Sequence, residues 1–394
     1  MCLVPVPSLG MSRSIHYSNN IIYITVEEYN IKTRVVGVDI SMERTTYAIV
    51  DVRGNIIAEG HFATLDYPDV NNYVTALSEK IVMLVEENGG YETIRSIGIS
   101  APSASNISGC IENAANLPWK GVIPLAAMMR DRIGLAVGLA NDAHIAALGE
   151  YVFGSAHGMS NFIVIHIGSG LGSCFFSNGR DHKGVQGFAG ELGHTCVVDG
   201  GRDCGCGHKG CLETYTAAKG IVQTAREMMA ESDKPSLMRE IDHLSPRTIS
   251  ECCDKGDEMA IEVYRKAGYM LGIGLANYAS IINPEAIILT GGISHAGHWL
   301  LDPTYDSFED HVFPNMRGHV KLLLSKLDDR ERDALGASAL AWEVPEYSLF
   351  KYNECRENQR DYQRETEFEY RSRHGVYLHT RGRYMYGPYE GRRT

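Results

Sequence analysis

The chain has 394 residues, 44% hydrophobic and 22% charged, enough for two ordinary globular domains and unlike a disordered or fibrous composition. Its formal net charge of -12 argues against a broad nucleic-acid surface, which needs concentrated Lys and Arg, and favours a small polar partner. The most apolar long stretch, 269–289, is broken by Asn277, Asn283, Pro284 and Glu285, so no membrane partner is expected.

Residues 1–11 are apolar but carry Pro5 and Pro7 and no basic leader, so they do not read as a signal peptide. Residues 1–33 show no clear periodicity and read as an N-terminal extension. Regular structure begins at Arg34-Val35-Val36-Gly37-Val38-Asp39, an apolar run ending in an acid. The β-branched runs 45–50 and 56–61 flank the polar turn 51–55, which predicts a hairpin. Val74, Leu77, Ile81, Leu84 and Val85 share one stripe of a helix over 70–87. A short strand at 94–100 is stopped by Pro102. A further strand at 137–139 leads through Asn141-Asp142 into a helix over 143–151.

The order then repeats. An apolar strand at 162–167 is followed by a glycine-rich turn and a hairpin partner at 174–177. Helices are predicted at 213–230, 246–253, 257–280 and 333–343, with a strand at 286–290. A strand-hairpin-helix order occurring twice implies two α/β lobes, 34–142 and 143–344, with a cleft between them and a last helix able to return to the smaller lobe. From 345 to 394 Arg, Glu and Tyr dominate with no apolar period, which reads as a disordered or loosely docked extension.

Ten cysteines are present, and three crowd into Cys204-Gly205-Cys206-Gly207-His208-Lys209-Gly210-Cys211. Such crowding suits a metal better than a disulfide framework and points to a reducing, cytoplasmic setting. Three thiolates and an imidazole from His194 or His208 form a closed structural zinc site with no position left for activated water. The glycines at 205, 207 and 210 permit the tight path. Such a staple would fix Glu191, His194 and Glu213 around one spot, whatever the protein does.

Glu191-Leu192-Gly193-His194 followed by this cysteine run and Glu213 resembles the hallmark of the ROK family (repressors, open reading frames and sugar kinases). The likeness extends from about residue 34 to about 343, and Asn116-Leu117-Pro118-Trp119-Lys120-Gly121 resembles its glucokinase-like branch. The resemblance implies a two-lobed actin-like ATPase (ribonuclease H-like) fold with sugar in the inter-lobe cleft. It implies ATP-dependent phosphorylation of a hexose, glucose first, in a homo-oligomer. His194 would ligate Zn2+ with Cys204, Cys206 and Cys211 and also face the sugar, while Glu191 and Glu213 would accept its hydroxyls.

Phosphorylating an alcohol needs a carboxylate to take the proton as the oxygen attacks the γ-phosphate. Asp142 sits after a strand and before a helix, where it can serve as that base or, like Asn141, merely cap the helix. The resemblance selects Asp142 as base and Asn141 as a sugar contact. Gly168-Ser169-Gly170-Leu171-Gly172-Ser173 is either an ordinary hairpin turn or a phosphate loop. By resemblance it is the second phosphate loop, Gly291-Gly292 the adenosine-side turn, and Asp39 the partner of Mg2+ held with ATP.

Two departures stand out. Where family kinases run Asp-x-Gly-Gly-Thr, this chain has Asp39-Ile40-Ser41-Met42-Glu43, whose side chains obstruct close backbone approach. Glu43 would repel a triphosphate by several kcal/mol unless Arg44 compensates. After Ala101-Pro102 a glycine- or asparagine-containing turn is replaced by Ser103-Ala104-Ser105-Asn106. A hexose kinase is therefore weighed against a catalytically impaired sugar sensor. A sugar-responsive repressor is the third reading, disfavoured because 1–33 shows no helix pair with a basic recognition face. His166 reads as a core histidine, and Cys252-Cys253 as buried thiols.

Overall fold

The computed structural model describes residues 11–18, 21–28 and 32–345, apart from 115, 186 and 328. The extension from 346 onward lies outside the described residues. Within the leader, β1 (Met11–Ser18) pairs antiparallel with β2 (Ile21–Glu28), from Met11 opposite Glu28 to Ser18 opposite Ile21. The sequence signal there is β-branched and aromatic content, as in Ile21-Ile22-Tyr23-Ile24-Thr25-Val26, rather than alternation.

The next segment runs β3 (Arg34–Ile40), β4 (Arg44–Asp51), β5 (Ile56–Ala63), α1 (Val70–Glu87) and β6 (Ile94–Ser100). A small ladder of β7 (Ile111–Glu112) and β8 (Val122–Ile123) precedes α2 (Leu125–Ile133), β9 (Ala136–Ala140) and α3 (Asp142–Val152). The second half opens with β10 (Phe162–Ile167), β11 (Leu171–Ser177) and β12 (Arg180–Asp181). Then follow α4 (Glu213–Thr216), α5 (Ala218–Glu231), α6 (Pro246–Asp254), α7 (Glu258–Ile282), β13 (Ala286–Thr290), α8 (His298–His311), β14 (Lys321–Leu324) and α9 (Asp329–Glu343).

Two five-stranded sheets result, ordered β5-β4-β3-β6-β9 and β12-β11-β10-β13-β14. Each has an antiparallel meander on one side and two parallel additions on the other. The same wiring twice is the two-lobed actin-like, ribonuclease H-like fold. Alternation along each strand decides which layer it serves. In β3, Val36, Val38 and Ile40 join the core under α1, whereas Val35 packs with Ala334, Leu335 and Ala341 of α9. In β10, Ile163, Ile165 and Ile167 face α7, whereas Phe162 and Val164 face α3 and α9. Helix α1 starts where Asp69 accepts the Asn72 backbone N–H at 3.0 Å.

Three sequence expectations need correction. The glycine-rich turn is shorter than drawn, because β11 begins at Leu171 and takes Gly172 and Ser173 into the ladder. The helix drawn over 213–230 is broken at Ala217, which is extended; the next N–H, from Ala218, donates to the Gly168 carbonyl at 3.0 Å. Helices α2 and α8 and strand β14 were not anticipated.

The packing of α9 on the first sheet leaves no room for a methyl group. A Cβ added at Gly98 would lie 1.9 Å from the Ala337 carbonyl oxygen and 2.8 Å from the Ala341 nitrogen. Gly98→Ala is expected to lower unfolding stability by about 1–3 kcal/mol, the usual cost of overpacking. Urea denaturation measures it, and an unchanged midpoint would contradict this tight contact.

Candidate functional site

The cysteine loop closes on itself. Cys204 N–H donates to the His208 carbonyl at 2.8 Å and Gly210 N–H to the Arg202 carbonyl at 2.7 Å. Gly207 and Gly210 take positive φ, while Gly205 does not, so the tight path rests on two of the three glycines. A Cβ at Gly210 would also sit 1.7 Å from the Val198 oxygen. The donor atoms of His194, Cys204, Cys206 and Cys211 all lie within 4.8 Å of one another.

Zinc–sulfur bonds of about 2.3 Å set the edges of a tetrahedron near 3.8 Å. Here Cys206 Sγ is 3.7 Å from Cys211 Sγ, and Cys204 Sγ is 3.6 Å from His194 Nδ1. The set therefore fits a closed, structural zinc. His208 is exposed and outside the group, which favours His194 as the fourth donor. Burial pushes the Cys204 and Cys211 thiols up, while the His208 backbone N–H pulls Cys206 down. Glu213 Oε1 lies 3.0 Å from Cys204 Sγ and 3.6 Å from His194 Nδ1, so the same loop fixes this acid.

Asn141, Asp142, Glu191, His194 and Glu213 share one hollow of about 350 Å³ with Gly168, Ser169, Gly170 and Gly172. Its walls come from both lobes. The end of β9 delivers Asn141 and the start of α3 delivers Asp142. The turn between β10 and β11 supplies the glycines, and the segment that carries the cysteine loop supplies the remaining acids and the imidazole. Capping and site membership coincide: Asn141 Oδ1 accepts the His144 N–H at 2.8 Å, and Asp142 Oδ1 accepts the Ala143 N–H at 2.8 Å. A Cβ on Gly172 would approach Asp142 Oδ1 to 4.0 Å, and one on Gly170 would approach Glu213 Oε2 to 3.2 Å. The turn thus runs between the two carboxylates.

Asp39, Gly291 and Gly292 do not line this hollow. The charge of Asp142 is nevertheless felt at Asp39. Burial, then the Asp333 and Asp142 carboxylates, push Asp39 up to about 7, against the pull of the Ser100 hydroxyl and Arg332. Gly291 sits at the end of β13 with φ 90, its backbone against Ile167. The Ser41-Met42-Glu43 segment is a tight, exposed turn at negative φ, in which Ser41 Oγ donates to the Arg44 carbonyl at 2.9 Å. A side-chain clasp closes this turn.

His166, Asn116 and Ser103, to which the sequence assigns no site role, also line the hollow. His166 is not a core histidine. It continues the Phe162–Val164 face of β10 to the strand's C-terminal end, where the sheet opens into the cleft, and it lines the hollow half-buried. Its Nδ1 is buried without a partner among the described residues. Asn116 also lines the hollow, as does Ser103, which holds φ 54 without being glycine. Periodicity alone would have placed His166 on the cleft face, had the end of the strand been treated as open.

Residues 35–344 match the ROK family. The chain is 32% identical to a glucokinase of Halalkalibacterium halodurans over 81% of its own length and 98% of that protein's. It is 27% identical to a xylose repressor of Caldicellulosiruptor bescii, covering 75% of each chain. A ROK family glucokinase from Streptomyces griseus, solved in complex with glucose and AMPPNP, superposes with a TM-score of 0.64 at 30% identity, covering 79% of this chain and 99% of that one. No helix among the described residues is long and apolar enough to cross a membrane.

Two outcomes follow from this geometry. Cys204→Ala is expected to reduce bound zinc from about one per chain to near zero and to loosen the 191–213 loop, read by elemental analysis and by proteolysis within that loop. A carboxyl raised from 3.8 to about 7 holds a proton that the unfolded chain releases, so stability falls as pH climbs through that window. Asp39→Asn should match the parent near about pH 4 and exceed it above about pH 7 in metal-free melts. A pH-independent difference would show that Asp39 is not so perturbed.

Proposed function

Because the chain belongs to the ROK family, we propose that it is an ATP-dependent hexose kinase, phosphorylating glucose at its 6-hydroxyl with Asp142 as general base. The observation that carries this reading is the single hollow lined by Asp142, the glycine turn at 168–172, Glu191, His194 and Glu213. The curated sugar-kinase relatives support the sugar-kinase class.

In this reading the lobes are 34–142 and 143–344. The hexose lies against Asn141, Glu191, His194 and Glu213, whose carboxylate acceptors and amide donor suit a polyol. Asp142 takes the hydroxyl proton as the oxygen attacks phosphorus, and ADP leaves. The backbone turn of Gly168, Ser169, Gly170 and Gly172 lies at the phosphates, with Gly291 and Gly292 on the adenosine side; the Gly168 N–H is already given to the Gly170 carbonyl at 2.9 Å, which leaves the tip of the turn to donate. Asp39 would hold Mg2+, which neutralises charge on the transferring group. Zinc on His194, Cys204, Cys206 and Cys211 is structural. A thiolate-rich site suits a reducing, cytoplasmic setting, and the assembly is a homo-oligomer, checked by gel filtration.

Asp142→Asn is expected to abolish ADP release with hexose while leaving sugar affinity within about tenfold, or roughly 1.4 kcal/mol. A fully active variant would remove Asp142 from the role. The turn at 41–43 favours one second reading, a sugar-binding sensor without turnover. Purified protein that binds glucose yet releases no ADP, and that gains turnover when Ser41-Met42-Glu43 is replaced by Gly-Gly-Thr, would select the sensor. In the kinase reading the same graft lowers KM for ATP by at least about tenfold, through relief of like-charge repulsion.

A further inference from the structure

The hollow that carries Asp142 does not end at Asn141 and Glu191. A second one of about 360 Å³ opens beyond them, and the two share Ser103, Asn141, Ser173 and Glu191 as a common wall. Asp142, His194, Glu213 and the turn at 168–172 do not line the second hollow. It therefore lies on the side away from phosphoryl transfer and is not the nucleotide's. In the kinase reading, on which this inference rests, a ring with one hydroxyl at Asp142 and its flank on Asn141 and Glu191 turns its far edge toward that space.

The lining argues against an anion. The ammonium of Lys183 is 3.2 Å from Asp181 Oδ2, so its charge is already matched, and Glu112 stands on the same wall as an acceptor. What the wall offers otherwise is the hydroxyl of Ser105, the amides of Asn106 and Asn113, the exposed imidazole of His182, and the ring of Phe188, 64% exposed. His144 also lines it; it is buried, with Nδ1 3.5 Å from Asp181 Oδ2 and Nε2 without a partner among the described residues. An open aromatic face beside amides and hydroxyls matches a pyranose, which has an apolar C–H face and a hydroxyl rim that both donates and accepts. A carboxylate or phosphate substituent would meet Glu112 and Glu191, while the Lys183 ammonium is already paired with Asp181.

The geometry points to a second glycosyl subsite: the substrate is a neutral disaccharide, phosphorylated on the ring in the first hollow and held by its other ring in the second. The chemistry at the first ring is unchanged. Its hydroxyl oxygen bonds to the γ-phosphorus, the bridging oxygen leaves on ADP, the proton passes to Asp142, and the glycosidic bond stays intact.

The experiment is calorimetric titration of the whole protein with glucose, maltose, cellobiose, N-acetylglucosamine and glucuronic acid, alongside ADP release with each. Maltose or cellobiose is expected to bind at least about tenfold tighter than glucose, a difference of roughly 1.4 kcal/mol. Phe188→Ala, a change at an exposed side chain, should erase most of that gain and leave glucose affinity within about twofold. Glucose bound and phosphorylated, with both disaccharides no tighter, overturns the subsite and leaves the kinase reading standing. A gain carried by N-acetylglucosamine or glucuronic acid instead overturns it too, as does a disaccharide gain that survives both Phe188→Ala and Asn106→Ala. Disaccharide binding without ADP release from any sugar keeps the subsite and removes the kinase reading. No binding of any sugar removes both.

Discussion

Helix α9 is a strip of small residues pressed between the first sheet and helix α3, which in turn packs on the second sheet. Ala334, Leu335 and Ala341 meet the first lobe's β3 and β4, while Ala337, Ala339 and Leu340 join the inner face of the second lobe with α3 and β10. The backbones touch on both sides: Gly98 lies against the Ala337 carbonyl, and Gly336 against the Ile145 carbonyl. Such contact tolerates no added methylene. The first turn of the same helix carries Arg332, whose guanidinium reaches Thr290 Oγ1 at 2.7 Å and whose charge is felt at Asp39. The register of one helix therefore sets the position of an acid from the first sheet against a strand end of the second.

What was legible in the sequence follows from how strongly each segment's pattern reports its surroundings. Strands buried on both faces, such as β10 and β13, read as short apolar runs, and α1 shows its stripe because one side faces water. Helix α8 was hidden because its buried face carries Thr304 and Ser307 beside Leu300 and Phe308. Those small polar residues are there because α7 approaches closely: Cβ atoms at Gly268 and Gly272 would come within 2.7 Å of Pro303 Cγ and 2.6 Å of Ser307 Cβ. Pro303 then reads as a breaker where it is a packing element. Close contact between small residues has no hydrophobic period to find.

The site shows the same asymmetry. Cysteines, glycines and histidine at fixed spacing announce a metal loop, because few other jobs need those types so close together. His166, Ser103 and Asn116 carry no such mark. Their membership depends on where a strand stops and on a left-handed turn at Ser103, neither of which a local pattern records. The replaced turn at 41–43 was visible as a departure, but the Ser41 side-chain clasp that closes it was not.

Asn141 carries a polarity that its neighbours lack. One lone pair of its amide oxygen is engaged by the first turn of α3, and this orients the NH2 as the donor it offers a guest. Glu191 and Glu213, which line the same hollow, are acceptors when ionised. An occupant must then present a lone pair at one end and hydrogens at the other, which an alcohol does with a single functional group and an ether or an alkyl chain does not. Chemical sense is thus built into the start of a helix, so discrimination and local folding cannot be altered independently at that position.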